Sequence, residues 1–139
     1  MAQSTRDAFQ DRMAGTLPGW FGLELLRVEH GLVAARLKIT PEHLAPNGYL
    51  HAATVVALAD SACGYGCIAS LPEGASGFTT IELKTNFLGT ALAGTLHCES
   101  QQAHGGRTTQ VWDATVADEA GKTVALFRCT QLLLYPQAA

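Results

Sequence analysis

PNGYLHAATVVALADSACGYGC, residues 46–67, opens as a turn, passes a histidine and becomes an apolar run interrupted by a single carboxylate, Asp60. Apolar residues fall on nearly all sides of residues 52–70, which predicts one long helix of the kind a folded chain buries. Burying such a helix requires a surface that wraps around it, so the fold turns on what the rest of the chain supplies.

Downstream, the apolar period switches from helical to two. In TTIELKTNFL, residues 79–88, it puts Ile81, Leu83, Thr85 and Phe87 on one strand face, with Thr80 on the other beside Glu82 and Lys84. Three more strands follow at about 94–103, 107–118 and 122–134, joined by the hairpin turns HGG (104–106) and DEAG (118–121). Upstream, Phe21 to Ile39 reads as two strands split at EHG, preceded by a short capped helix at 4–13 and a Gly/Pro turn at GTLPGW. TPEHLAPNG is a polar loop that delivers the chain to His51. The order is two strands, a helix, then four strands. It predicts an α+β fold in which a curved antiparallel sheet wraps the helix. Without repeats or linkers, residues 1–139 are expected to form one domain, with 1–18 as a helical lead-in.

Charged residues make up only 15% of the chain and hydrophobic ones 47%, which favours a protein that hides surface in subunit contacts. A formal net charge of −3 supplies no electrostatic attraction to nucleic acid or anionic lipid, so neither is expected as a partner. Asp60 and several glycines interrupt the best candidate for a membrane span, and the polar start MAQSTRDAFQDRM has no apolar signal core. A cytoplasmic location is therefore expected. Cys63, Cys67, Cys98 and Cys129 are then read as reduced, buried and unreactive thiols, and no metal site is expected.

Asp60 is the chemical anomaly. A buried, ionised carboxylate must be exposed, paired or used, and no cation stands at i±3 or i±4. The plain alternative is a helix-edge aspartate facing solvent or a neighbouring loop. His51 precedes the helix and reads equally as a cap. The free N–H groups of Ala52 and Ala53, at the positive end of the helix dipole, suit developing negative charge on an oxygen. Eight residues of helix separate Ala52 from Asp60, about 12 Å at ~1.5 Å per residue. A catalytic base works within roughly 3 Å of its target. One chain does not bring both groups to one carbonyl, whereas two antiparallel copies of the helix would.

GYLHAATVVALADSA, followed by TTIELKTNFL and HGGRT, resembles the hotdog-fold acyl-CoA thioesterases of the phenylacetate-degradation (PaaI-like) type over residues 20–134. Gly48, His51 and Asp60 match that family's glycine, histidine and acidic residue in type and spacing. The resemblance implies a helix wrapped by an antiparallel sheet, a homodimer or homotetramer, and hydrolysis of an aryl or medium-chain acyl-CoA. It implies Asp60 as nucleophile or general base, the Ala52 N–H as the group that polarises the thioester carbonyl, and Thr80 as an assisting hydroxyl. Coenzyme A enters as part of the substrate, with no separate cofactor, and Arg107 is the candidate for its phosphates. Ala52-Ala53 replaces the family's double glycine, and its amide residue falls at Ala45, with Asn47 the nearest substitute. A hotdog hydratase or dehydratase and a non-catalytic acyl-CoA binder remain the alternatives.

Overall fold

The eighteen-residue helix α3, Ala52–Ala69, is the axis of the molecule. The computed structural model describes residues 2–137. Ahead of α3 come α1 (Thr5–Arg12), α2 (Leu17–Phe21), β1 (Leu23–Glu29), β2 (Leu32–Lys38) and a 3-10 turn at Pro41–His43. Behind it come β3 (Gly77–Phe87), β4 (Thr95–Gly105), β5 (Thr109–Ala117) and β6 (Thr123–Leu134). The six strands form one antiparallel sheet in the order β1-β2-β4-β5-β6-β3, curved around the helix as the hotdog fold requires.

Val55, Leu58, Ala59, Ala62, Cys63 and Gly66 recur at helical spacing and form the buried stripe of α3. They pack against inward residues of the strands, among them Leu37, Leu96, Trp112 and Phe127. A fully buried leucine such as Leu58 contributes about 1.5–3 kcal/mol by leaving water. The C-terminal end of α3 is tied to β5, where Gln110 donates its amide to the Ser70 carbonyl and accepts from the Trp112 indole. The loop before α3 is held by His43, whose Nδ1 accepts from the Thr40 N–H and whose Nε2 lies 2.8 Å from the Phe21 carbonyl.

By length and composition α3 is apolar enough to cross a membrane, yet in the fold its stripe is the core of the sheet. Its other side does not meet the expectation of burial all round. Ala57, Asp60, Ser61 and Gly64 are only half-buried there and Ile68 is exposed. All four cysteines are free and buried. Burial pushes the Cys67 and Cys98 thiols up to about 12, which removes thiolate reactivity.

Two elements differ from the sequence reading. GTLPGW is not simply a turn: Leu17–Phe21 closes one helical turn, with Pro18 at its start, where its missing N–H costs nothing, and left-handed Gly22 at its end. In β3 the simple alternation fails, because the register slips between Thr80 and Glu82. Thr80 pairs with Gln131, Glu82 already pairs with Thr130, and Ile81 is the extra residue of a bulge. The slip turns Thr80 to the same face as Leu83, Thr85 and Phe87, which pair with the inward residues Cys129, Phe127 and Ala125. Thr80 is therefore half-buried, while Glu82 and Lys84 are exposed on the opposite face.

Candidate active site

Asp60 reaches the surface of α3 midway along its less buried side, opposite the first residues of β3. It lines a pocket of about 240 Å³ with Ser61, Gly64, Tyr65 and Ile68 of α3, Phe78 and Thr80 of β3, and Pro18 of α2. Pro18, Tyr65, Ile68 and Phe78 give it a largely apolar wall. Asp60 Oδ1 is buried and has no hydrogen-bond partner among the described residues. Desolvation alone raises its carboxyl above the ordinary range. A carboxylate in that condition is a stronger base than one in water, and it has not been stabilised by any donor.

Thr80 shares this pocket because the β3 bulge turns it inward. Its hydroxyl donates to Gln131 Oε1 at 2.7 Å. The sequence reading missed Gln131, along with Phe78, Gly64 and Pro18. Gln131 is a fully buried polar residue in a strand whose period alone marks it as inward, a signal that was available. The other three depend on tertiary contact and leave no local mark.

The helix start forms a separate group. His51 is the N-cap of α3, and its Nδ1 accepts from the Ala53 N–H at 2.9 Å. The expectation of two free donors is corrected: Ala53 is engaged by the cap, while the Ala52 N–H has no acceptor among the described residues. Gly48 holds the turn ahead of it with φ +86°, a left-handed value that favours glycine. Asn47 accepts from the Tyr49 N–H in the same exposed turn, so its amide oxygen has a local use and does not enter the Asp60 pocket.

None of Asn47, Gly48, His51 and Ala52 lines the pocket of Asp60 and Thr80. Arg107 is apart from both groups. It sits in the β4–β5 hairpin, exposed, on a pocket of about 360 Å³ with His30, Ser70, Gln102 and Gln110. It makes no ion pair among the described residues, and its carbonyl accepts from the Tyr135 hydroxyl. Among the described residues there is no cluster of three histidines, cysteines or carboxylates with which to hold a metal.

Comparison with known proteins adds the family. Residues 47–125 match the Thioesterase superfamily model, a span that contains the Asp60 pocket apart from Pro18 and also the helix start. The 1,4-dihydroxy-2-naphthoyl-CoA hydrolase of Listeria monocytogenes is 33% identical over 78% of this chain and 88% of its own. The acyl-coenzyme A thioesterase PaaI of Escherichia coli is 31% identical over 77% of this chain and 74% of its own. A mutant thioesterase of Pseudomonas aeruginosa superposes with a TM-score of 0.90 over 97% of both chains at 20% identity, which speaks to the fold. The chain belongs to the Thioesterase superfamily, and within it to the PaaI-like thioesterases of hotdog fold.

Proposed function

We propose that the protein hydrolyses aryl or medium-chain acyl-CoA thioesters at Asp60. The observation that carries this reading is the buried Asp60 oxygen, unpartnered and desolvated in an apolar pocket. Asp60 takes a proton from water as the water oxygen attacks the thioester carbon. The carbonyl oxygen becomes an oxyanion, the C–S bond breaks, and the coenzyme A thiolate leaves and is protonated. The products are the free acid and coenzyme A.

Oxyanion stabilisation is assigned to the Ala52 N–H at the positive end of α3. Since the rise of the helix separates it from Asp60 by about 12 Å in one chain, the donor is assigned to a second subunit. A homodimer, or a tetramer built from dimers, supplies it by pairing antiparallel copies of α3 across their half-exposed side. The free edge of β3 supports the same assembly, with Ile81, Leu83 and Phe87 exposed at 56%, 43% and 48%. Phe78 and Tyr65 favour an aryl or other apolar acyl group in the pocket, and the name of one curated relative, the 1,4-dihydroxy-2-naphthoyl-CoA hydrolase, points the same way. Arg107 is assigned to the coenzyme's phosphates.

Hydration of a C=C bond needs a histidine beside the acid; within one chain none of the five histidines lines the Asp60 pocket, and the two curated relatives are named as a hydrolase and a thioesterase. The test is thiol release from a panel of aryl and straight-chain acyl-CoAs. Turnover of the aryl and medium-chain members is expected. Binding of these compounds without thiol release would establish a non-catalytic binder instead.

A further inference from the structure

We propose that Gln131 is a positioning residue for the reaction: by accepting the Thr80 hydroxyl proton it leaves only oxygen lone pairs facing Asp60 and the attacking water. This rests on the assignment of Asp60 as the base. A threonine hydroxyl has one proton and two lone pairs. Thr80 gives its proton to Gln131 Oε1 at 2.7 Å, and Gln131 is held in turn by full burial and by its amide nitrogen, 3.3 Å from Cys129 Sγ. Gln131 lies on β6 between β5 and β3, so both neighbouring strands fix its backbone.

The consequence is directional. Thr80 lines the pocket with Asp60 but makes no hydrogen bond to it, and Asp60 Oδ1 stays unpartnered. A hydroxyl free to turn would donate to the carboxylate, stabilise the anion and weaken the base. With its proton engaged by Gln131, Thr80 instead accepts one hydrogen of the water while Asp60 removes the other. The water's oxygen lone pair is then left for the thioester carbon.

Within its own chain the titratable surroundings of Asp60 do not compete for this role, and His51, which precedes the Ala52 donor assigned from a second subunit, has its Nδ1 engaged by the Ala53 N–H. On α3 those surroundings are Tyr65, raised by burial, and Cys63, raised by its hydrogen bond to Cys129 of β6 and by burial. Both stay neutral where the carboxyl titrates. α2 and β3 contribute Pro18, Phe78 and Thr80 to the pocket, none of them charged, and Glu82 and Lys84 are on the other face of β3.

The test compares pH profiles of thiol release for the wild type, Gln131→Met, Thr80→Val and the double variant. Removing the acceptor frees the Thr80 proton for Asp60. The acid limb of kcat/KM should then move to lower pH, and kcat should fall by about tenfold, a part of what general-base catalysis supplies, with KM little changed. In the Thr80→Val background the same Gln131→Met change should have no further effect. Equal losses in both backgrounds, or an unmoved acid limb, would overturn the role of Gln131 while wild-type turnover left the thioesterase reading intact. An inactive wild type would instead defeat that reading itself. A neutron map of the deuterated wild-type protein decides the matter even if Gln131→Met does not fold. The Thr80 deuteron is expected on the line to Gln131 Oε1, and a deuteron pointing into the pocket, or a Gln131 amide deuteron on Thr80, contradicts the proposal.

Discussion

Trp112 packs against α3 at Gly66 so closely that a Cβ on Gly66 would stand 2.5 Å from Trp112 Cη2 and 2.6 Å from Cζ3. The indole has little freedom to retreat, since it is fully buried and its N–H is held by Gln110. Gly66→Ala gains up to about 1 kcal/mol of helix propensity. Overpacking should outweigh that gain, with a net destabilisation of roughly 1–3 kcal/mol. Denaturant unfolding of the purified variant measures it, and an unchanged or raised midpoint would show that the sheet gives way more easily than this contact implies.

That contact also marks the limit of what the sequence shows. The helix, the succession of strands along the chain and the hairpin at Asp118–Gly121 are legible because each is written in local periodicity or turn chemistry, whereas the pairing of β3 with β6 at the sheet edge is not. Asp60 was legible as an anomaly in an apolar run. The inward turn of Thr80 was not, because one extra residue at Ile81 reverses the face of everything before it and carries no composition signal. Pro and Gly within five residues look like punctuation, so the pattern at α2 suggests a turn, although Pro18 is suited to a first helical turn. His51 had two readings, and its Nδ1 contact with the Ala53 N–H supports the cap.

Gly64 sets the width of the pocket beside Asp60. A Cβ there would lie 3.2 Å from Phe78 Cζ, so the ring must shift by a few tenths of an ångström or the cavity narrows. Gly64→Ala is expected to lower kcat/KM for bulky aryl acyl-CoAs by roughly tenfold relative to a short acyl-CoA, as a pocket change of about one methyl does. Parallel kinetics with benzoyl- and acetyl-CoA give the ratio. An equal effect on both would place the acyl group elsewhere.

The Asp60 carboxyl titrates above its unfolded value because burial disfavours the charge. Folding is therefore favoured by protonation. This contribution is fully present below the unfolded carboxyl range and is lost as pH rises through the folded value. At neutral pH the ionised Asp60 is a stability cost, which Asp60→Asn removes. Thermal unfolding should show the variant more stable than wild type at pH 7, with the gap closing toward acid pH. A gap that is absent or reversed at pH 7 would mean that Asp60 has a stabilising partner in the assembled protein.

Ala52 occupies the first position of α3, where proline is well tolerated, and His51 before it has φ −69° and ψ 135°, an extended conformation that suits a residue preceding proline. Ala52→Pro thus deletes one N–H without breaking the helix. If that N–H holds the oxyanion, kcat should fall by about 10²–10³ with little change in melting temperature. Mixed dimers of this variant with Asp60→Asn, verified by mass spectrometry, should recover activity, because one of their two shared sites is intact. Verified mixed dimers that stay inactive would rule out a site divided between subunits.

The most direct measurement of the central claim is the rate of thiol release by Asp60→Asn on the wild type's best aryl acyl-CoA, with the oligomer and fold checked on the same sample. The substitution keeps shape and removes the base. Because a general base or nucleophile contributes about 10²-fold or more, the account predicts a loss of at least that size with the assembly unchanged. Turnover close to that of the wild type would contradict it, and would remove the Asp60 carboxylate from the mechanism.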